Sequence, residues 1–524
     1  MNILFVIPKY GVTDEPYEFP LGIAYVAAYL KKSAFNVFCL NANHHAGAMA
    51  EQLSKWINDN DIDMVCSGGL SMHLDSIGEV FAAAKRIKKG IITVCGGPLI
   101  CCDPEFALER LPVDFAIMGE GEETMADLAR ALATGDDIMK VKGLVYDDVQ
   151  GNLVFTEKRP PIADLDIIPM PDYASFDYDI YMDKIAPNTP YHFFSLFDRM
   201  DEVRPASIIT SRSCPFNCTF CYHPLGKKYR QHPLDKVFEE IDYLIENYGI
   251  NFLFIIDHLF AFDKKRMLEF AERIKPYKIK WVAQLRVTDA NLEVLHRLKE
   301  SGLIAIGYGV ESLSDKILKS MKKKITREQI ENGLRITREA KIAVVGNLLF
   351  GDPAETEETI EETLSWWKDQ LEYNLYLRMI MPIPDSVIYR LALGRGLIKD
   401  KLKHIKEGFP PVNLTELSEK RFKEITDFTL TYRNDEKYLI MGRLINSKKE
   451  YGNNRKLQFS ITVECPECHE IMHYTPIPPQ TCKTLLLLCK SCLASFHVRT
   501  KYLKQFSIIH PLKIIKKHVK NLLS

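Results

Sequence analysis

The chain has 524 residues, so at about 150 residues per domain it is too long for a single hydrophobic core. Its 68 Lys and Arg residues nearly balance its 69 Asp and Glu residues, and this balance gives no indication of binding to nucleic acid or to an acidic substrate. No apolar run approaches the about 20 residues of a membrane-spanning helix, and the first residues are typical of a core strand rather than a signal peptide. Its 13 cysteines occur largely in clusters, which indicates metal ligands in a reducing, cytoplasmic compartment.

Residues 1–140 alternate short apolar runs with amphipathic stretches. The pattern predicts strands at 3–7, 36–40, 63–68, 91–97 and 114–122, and helices at 22–32, 48–59, 74–89 and 122–134. This alternation is typical of a doubly wound, Rossmann-like α/β domain, which binds ligands at the carboxyl ends of its parallel strands. The residues expected at those ends are Pro20, Leu21, Gly22, Asn41, Asn43, Ser67, Gly68, Gly69, Gly96, Gly97, Gly119, Glu120 and Gly121.

A second alternating series occupies 205–400. It predicts strands at 207–211, 252–256, 280–285, 304–309, 343–350 and 376–380, each followed by a helical pattern. Six βα units in a row favour a partial, TIM-like (βα)6 barrel with its chemistry at the carboxyl ends of the strands. The proline-rich residues 141–204 between the two series are interpreted as a linker, and the charged residues 401–460 as a helical extension.

Three cysteines, Cys214, Cys218 and Cys221, lie in the stretch "SRSCPFNCTFCYHP" directly after the first strand of the second series. A structural zinc ion takes four ligands, and a cubane iron–sulfur cluster has four irons. The loop therefore forms a zinc site if His223 is the fourth ligand. If it holds a cluster instead, one iron is open to a small molecule.

The C-x3-C-x2-C spacing, with the aromatic residue Phe220 before the last cysteine, resembles the radical S-adenosylmethionine (SAM) superfamily. The resemblance implies that the three cysteines hold a [4Fe-4S] cluster whose open iron binds the amino and carboxylate groups of SAM. It also implies that an electron from the cluster cleaves SAM to a 5′-deoxyadenosyl radical, which abstracts hydrogen from an unactivated carbon. The protein then supplies orientation and excludes side reactions.

Later strand ends extend this resemblance. "IIDHLF" places Asp257 where the family carries a polar or acidic residue for the SAM amine, and "GYGVES" matches the family's G-x-E-S element with Glu311. "AQLRV" supplies an arginine suited to bidentate pairing with a carboxylate, and "LLFGDPAET" matches the fifth-strand element, where the backbone approaches the ligand. Taken singly, each residue fits an ordinary surface or capping role. The candidate SAM contacts are Asp257, Gln284, Arg286, Glu311, Gly351 and Pro353.

The N-terminal motifs "PLGIAYVAAYL", "SGG", "CGGP" and "GEGE", joined to this core, resemble the cobalamin-binding domain of B12-dependent radical SAM enzymes. The resemblance covers residues 1 to about 400 and implies that the corrin lies against the strand ends, where small residues permit close approach. The D-x-H-x-x-G motif of classical cobalamin proteins is absent. His44 and His45 are therefore either cobalt ligands or solvent-exposed loop histidines, and a scaffold without a cofactor is the alternative for the domain.

Two C-x2-C pairs near the C-terminus, Cys465 with Cys468 and Cys489 with Cys492, predict a zinc-ribbon-like module over 461–498. Iron uses the same ligands, and Cys482 is interpreted as structural. The tail, 499–524, contains seven Lys and Arg residues and no acid. It fits an amphipathic helix that contacts anionic lipid or an acidic partner, or a terminal helix docked on its own protein.

Together these resemblances imply a radical SAM enzyme that methylates an unactivated carbon with cobalamin as methyl carrier. A non-methylating member of the family, such as a ring-forming enzyme that acts on tetrapyrroles, is an alternative. A cobalamin or metal sensor is an alternative of another class, although a sensor has no use for an open-iron loop. The expected partners are a small-molecule or lipid-like substrate and an electron donor of the flavodoxin or ferredoxin type, without nucleic acid.

Overall fold

Two largely parallel sheets, one in each half of the chain, organise the protein. The computed structural model describes residues 1–10, 17–148, 150–185, 204–260, 263–451, 457–477, 483–501 and 503. Within these residues the first sheet has the order β2-β1-β3-β4-β5-β6-β7, and its first five strands are parallel. Its strands are β1 Asn2–Ile7, β2 Asn36–Asn41, β3 Met64–Gly68, β4 Ile92–Gly96, β5 Phe115–Ile117, β6 Leu144–Asp147 and β7 Leu153–Phe155.

Helices cover both faces of this sheet, which is why β1 is apolar on both sides and wholly buried from Ile3 to Ile7. The predicted doubly wound architecture is confirmed. The helices of this half are α1 Leu21–Lys32, α2 Met49–Asp59, α3 Leu74–Ile87, α4 Pro98–Cys102, α5 Pro104–Leu108, α6 Gly121–Thr134 and α7 Tyr178–Ile180.

The second sheet is parallel throughout, and its order β15-β14-β13-β12-β11-β8 follows the chain, as predicted for consecutive βα units. A short antiparallel pair, β9 and β10, closes the two ends of the cysteine loop. The strands are β8 Pro205–Ile208, β9 Ser211–Arg212, β10 Arg230–Gln231, β11 Phe252–Ile255, β12 Lys280–Leu285, β13 Leu303–Glu311, β14 Ala343–Phe350 and β15 Tyr376–Met379.

Capping side chains set the ends of the helices in this half. Thr326 accepts the backbone N–H of Gln329, whose side chain accepts the N–H of Thr326 in return, and Gly249 ends a helix with a φ of 64°. The helices are α8 Leu234–Tyr248, α9 Lys264–Ile274, α10 Leu292–Glu300, α11 Asp315–Ser320, α12 Arg327–Glu339, α13 Glu357–Asp369, α14 Val387–Gly394, α15 Lys401–Lys406 and α16 Glu419–Thr431.

Much of the predicted linker, 141–204, belongs to the folded core. Strands β6 and β7 add an antiparallel edge to the first sheet, and Tyr173 and Phe176 are buried in a hydrophobic core shared by both sheets. The interpretation as a simple linker is therefore wrong for the described part, while 186–203 lies outside the described residues. Helix α15 also returns to the first domain, where Ile405 joins its core.

The C-terminal module begins earlier than the predicted residue 461. Strand β16 pairs with β17, so the predicted helical extension over 401–460 is helical only in its first part. Residues 502 and 504–524 of the basic tail and Cys482 lie outside the described residues, and membrane contact by the tail stays a prediction. None of the described helices is long and apolar enough to cross a membrane. The strands are β16 Arg443–Tyr451, β17 Leu457–Glu464, β18 Ile471–Ile477, β19 Thr484–Leu488 and β20 Ser495–Arg499.

Candidate active site between the two sheets

The cysteine loop leaves the end of β9 through Ser213, whose φ of 68° turns the chain sharply. Its backbone is bonded to two helices: the N–H of Thr219 donates to the carbonyl of Met321 (3.1 Å), and the N–H of Ile388 donates to the carbonyl of Thr219 (3.2 Å). Phe220 packs against an apolar cluster that α11 and α14 help to form. This ring therefore anchors the loop, and its contact with a cofactor stays a prediction.

The three thiols of the loop are half-buried and close enough to influence one another. Burial, and then the thiols of Cys218 and Cys214, raise the pKa of Cys221 to about 11. They are nevertheless more widely spaced than a single ion requires. Among the described residues, only the C-terminal cysteines form a group of three or more ligand atoms within 4.8 Å of one another. Because Zn–S bonds of about 2.3 Å bring sulfurs within about 4 Å, the loop fits a cluster better than a zinc ion completed by His223.

A charged group at the carboxyl end of β13 faces this loop. Glu311 is buried, has a φ of 68°, and its Oε1 lies 3.0 Å from Nζ of Lys323. Burial raises the pKa of Cys218, whereas Lys323 and Arg286 lower it, so both cations lie near this thiol. The guanidinium of Arg286 stacks 3.7 Å above the ring of Phe216. The structure thus brings the predicted Arg286 and Glu311 together beside Cys218. Sequence reasoning missed Lys323, although it stands in the lysine run "MKKKI".

The candidate Gln284 of β12 lies on the inner face of the barrel, beside β13. Gln284 pairs in register with Gly307, so both face the same side of the sheet as Gly309 and Glu311. A Cβ atom on Gly309 would stand 2.5 Å from Nζ of Lys323 and 2.6 Å from Oε1 of Glu311. A side chain at this position would displace the ends of Lys323 and Glu311 from their present ion-pair geometry.

Asp257 has a different role from the predicted contact with the SAM amine. It is only 2% exposed, and its two oxygens accept the backbone N–H of Thr210 (2.7 Å) and the hydroxyl of Thr210 (2.6 Å). Burial raises its pKa to about 7 in spite of these bonds. The carboxyl group thus fastens the turn between β8 and β9, which leads into the cysteine loop, and it supports the site indirectly.

The element at the carboxyl end of β14, residues 348–356, is also held by a hydrogen bond to a buried carboxylate, in this case one within the element itself. Gly351 adopts a φ of 108°, a region that favours glycine, and its N–H donates to Oε2 of Glu355 (2.5 Å). Pro353 follows in a half-buried turn. Contact of Gly351 and Pro353 with a ligand stays a prediction.

A buried cluster of four charges joins the two domains. Arg212, just before the cysteine loop, contacts Glu120 (3.1 Å) and Glu122 (2.6 Å) at the start of α6. Arg230, just after the loop, contacts Glu120 (2.7 Å) and the carbonyl of Ile162 (2.7 Å). All four charged side chains are at most 7% exposed. The assignment of Glu120 to a cofactor is therefore corrected: its carboxylate fixes the cysteine loop to the first domain.

The glycines at the ends of β3 and β4 serve loop packing. A Cβ atom on Gly68 would lie 2.5 Å from the carbonyl of Gly96, and one on Gly97, at a φ of 86°, would lie 3.1 Å from the nitrogen of Gly69. Only glycine lets these two loops approach so closely. By contrast, nothing lies within 4 Å of a Cβ atom on Gly119, so open space adjoins the end of β5 at this residue.

Several polar candidates of the first domain are engaged internally. The amide of Asn43 donates to the carbonyl of Pro8 (2.9 Å) and accepts the N–H of Tyr10 (2.9 Å), and the hydroxyl of Ser67 donates to Val6 (2.9 Å). Leu21 is 3% exposed in the core. These side chains shape the strand ends, and their contact with a ligand stays a prediction. Pro20 precedes α1 as its N-cap, Gly22 is exposed with no neighbour near its Cβ position, and Gly121 begins α6.

Tyr222 lies where the two domains face each other. Burial, and then the thiols of Cys102 and Cys221, raise its pKa, so the phenol is close both to α4 of the first domain and to the cysteine loop. The carboxyl ends of the two sheets therefore adjoin one another. Sequence reasoning missed Tyr222 and Cys102, although Tyr222 directly follows the last cysteine of the loop.

Two family models match the chain: the radical SAM superfamily over 208–366 and the B12 binding domain over 9–129. An uncharacterized methyltransferase of Pyrococcus horikoshii is 30% identical over 417 residues, which cover 76% of this chain and 84% of that protein. The chain belongs to the B12-binding radical SAM enzymes.

Other members of this family differ in their reactions. The anaerobic magnesium-protoporphyrin IX monomethyl ester cyclase of Cereibacter sphaeroides is 27% identical over 399 residues, which cover 72% of this chain and 62% of the cyclase. Among solved structures, the radical SAM methyltransferase TsrM of Kitasatospora setae matches with a TM-score of 0.60 and 17% identity, over 76% of this chain and 79% of TsrM. At that identity the likeness shows the fold alone.

In this B12-binding radical SAM enzyme the two histidines of the first domain have different surroundings. His44 is buried, and its Nε2 lies 2.8 Å from the hydroxyl of Tyr17. His45 has a half-exposed side chain 3.5 Å from Asp177. The interpretation as a solvent-exposed loop histidine therefore holds for His45 and is wrong for His44. Sequence reasoning also missed His73, whose ring centroid lies 4.2 Å from that of Tyr10 at the same strand ends, with the two rings tilted by 35°.

Proposed function

We propose that this enzyme binds a [4Fe-4S] cluster, SAM and cobalamin, and that it methylates an unactivated carbon of a small-molecule or lipid-like substrate. When bound, the cluster and SAM supply the radical and cobalamin supplies the methyl group. The observation that carries the proposal is the buried Arg–Glu cluster. Through Arg212 and Arg230 it fastens both ends of the cysteine loop to Glu120, one residue beyond the open Gly119. The cysteine loop and the end of β5 in the first domain are thereby held next to each other.

The residues of the chain have separate tasks in this proposal. Cys214, Cys218 and Cys221 hold the cluster, and the widely spaced thiols fit that role. Arg286 supplies positive charge beside Cys218 and a partner for the carboxylate of SAM. Glu311, held by Lys323, offers an acceptor to the amine or ribose of SAM. Tyr222 lies between the cluster loop and the first domain, where it limits the space open to water.

The name of the relative from Pyrococcus horikoshii supports methyl transfer. The cyclase relative favours ring formation as the second candidate. The two reactions are separated with SAM that carries a deuterated methyl group. Reconstituted enzyme is incubated with reductant and a metabolite extract of cells that lack the gene. Methyl transfer gives a product that gains the label, whereas a new product that forms with 5′-deoxyadenosine but carries no label contradicts methyl transfer and supports ring formation.

The electron donor docks at the rim of a basic cavity of about 990 Å³. Cys218 and Cys221 help to line this cavity. Lys319, Lys322 and Lys324 line its other side, and no ion pair of these three lysines is found within the described part of the chain. Electrons pass most readily where the cluster is nearest to solvent, and a cationic rim attracts an acidic protein. These features support an acidic flavodoxin or ferredoxin as the partner at this cavity.

A triple variant, K319E/K322E/K324E, is expected to slow cluster reduction by reduced flavodoxin about 10- to 100-fold at low ionic strength, because like charges then repel. Stopped-flow absorbance measures the rate. Dithionite, a small anion that needs no protein docking, is expected to lose much less of its rate than flavodoxin.

The control is Lys316→Glu, on the helix that carries Lys319 but not among the residues that line the cavity. It is expected to retain the wild-type rate with flavodoxin. An unchanged rate in the triple variant would rule out this docking face.

A further inference from the structure

The two cysteine pairs of the C-terminal module have the same local geometry. In each pair a backbone N–H two residues after the first cysteine points to its sulfur: Glu467 to Cys465 and Ser491 to Cys489, both at 3.4 Å. The residue after each second cysteine has a positive φ, 58° at His469 and 59° at Leu493. The backbone is thus shaped as two matching metal-binding turns.

The four sulfurs form a compact donor set. All lie within 4.8 Å of one another, and Sγ of Cys465 is 3.8 Å from Cys492 while Sγ of Cys468 is 3.5 Å from Cys489. Four thiolates at these separations suit one tetrahedral ion such as Zn²⁺. Cys465 and Cys489 are fully buried, so without an ion the core of the module contains facing thiols in place of metal–sulfur bonds.

The second turn carries two leucines into the barrel. Leu488, which is fully buried, and Leu493 pack in one apolar cluster with residues of four barrel strands. These barrel residues are Phe252 and Phe254 of β11, Val282 of β12, Ile304 and Ala305 of β13, and Ala343 and Val345 of β14.

The cluster lies at the amino ends of the strands, opposite the cysteine loop. Val282 shares its face of β12 with Gln284, which lies two residues further along, and Ala305 shares its face of β13 with Gly307. The same inner face therefore leads from the two leucines to the site at Glu311. Leu488 and Leu493 together, here called the plug, close the base of the barrel.

Other contacts hold the first turn and the sheet of the module at the barrel. Arg338 on α12 pairs with both oxygens of Glu467 (2.9 and 2.8 Å), one of the two residues between the first two cysteines. His497 of β20 lines one small cavity together with Trp367 of α13. Neither of these two contacts involves the second turn, so they dock the module but do not fix the backbone that presents Leu493.

We propose that a metal ion of the Zn²⁺ class, held by the four cysteines, latches the plug in the base of the barrel. The ion fixes the second turn, and the turn in turn fixes Leu488 and Leu493 against the four strands. Loss of the ion releases the plug and admits water to the inner face that leads to the SAM side of the site. This role is independent of the reaction that the enzyme catalyses.

The central test is Leu493→Gly in the full chain. Glycine tolerates the positive φ, so the variant removes the plug side chain while it leaves the turn and the four ligands intact. Hydrogen exchange monitored by mass spectrometry is expected to become at least about tenfold faster at the start of β11, β13 and β14, with unchanged metal content. Strands β1 to β4 of the first domain are expected to exchange at the wild-type rate.

The matched control is His469→Gly, the equivalent position of the first turn, where the side chain is 76% exposed and packs on no barrel strand. It is expected to retain both the metal and the exchange pattern of the wild type. Cys468→Ser, at the exposed ligand, is expected to lose the metal and to show the same fast exchange as Leu493→Gly.

Two results would overturn the proposal. Wild-type exchange at the barrel base in Leu493→Gly would show that the leucine does not close it. Wild-type exchange in a metal-free Cys468→Ser variant would show that the ion does not latch it. Neither measurement uses SAM cleavage, so failure here is distinct from failure of the proposed methyl transfer.

Discussion

Replacement of Glu120 by alanine is expected to lower the free energy of unfolding by about 3–5 kcal/mol. The change leaves Arg212 and Arg230 buried without their shared carboxylate, and both guanidinium groups are almost completely shielded from water. Because these arginines stand on either side of the cysteine loop, the loop also loses its link to the first domain. Urea denaturation of the full chain, followed by circular dichroism, measures the loss.

Glu123→Ala is the control for this effect. Glu123 stands in the first turn of the same helix, is 35% exposed, and pairs with Arg159 at 3.4 Å. An ion pair with this exposure is expected to contribute less than about 1 kcal/mol to the free energy of unfolding. Equal losses in the two variants would contradict a special role for the buried cluster between the domains.

Replacement of Cys218 by alanine is expected to reduce 5′-deoxyadenosine formation more than about 100-fold, because even the outer-shell partners of metal ligands produce losses of about 10- to 100-fold. Cys218 is the thiol that Arg286 and Lys323 approach, so its loss removes both a cluster ligand and the charge that these cations balance. Iron analysis and chromatography of the reaction mixture measure the two consequences.

Cys102→Ala is the matched control, since Cys102 is a half-buried cysteine on the facing domain and stands near Tyr222. It is expected to keep the iron content of the wild type. Full iron content and unchanged product in Cys218→Ala would show that the cluster is held elsewhere.

The sequence was most informative where strands are buried on both faces. The stretches at β1, β12 and β14 are continuous apolar runs, and their predicted bounds agree with the structure to within one residue. Strand β16 was missed because nearly all of its side chains are exposed or half-exposed, so "RLINSKKEY" shows neither strand alternation nor an apolar face. The boundary of the C-terminal module was therefore placed too late.

Residue roles were harder to predict, because they depend on partners that are distant in the chain. Glu120 and Arg212 are 92 positions apart, and Asp257 and Thr210 are 47 apart. A carboxylate at a strand end resembles a ligand contact until its buried hydrogen-bond partner is known. Arg286 and Glu311 were placed correctly beside the cysteine loop because successive parallel strands bring their carboxyl ends to one edge.

The central claim is that the three-cysteine loop, fixed against the B12-binding domain, supports reductive cleavage of SAM. The most direct test reconstitutes the full chain anaerobically with iron, sulfide and cobalamin, adds SAM and dithionite, and measures 5′-deoxyadenosine by chromatography and mass spectrometry. We predict that 5′-deoxyadenosine forms, and that it does so only when both the cluster and the reductant are present. An intact, reducible cluster that yields no 5′-deoxyadenosine would contradict the account.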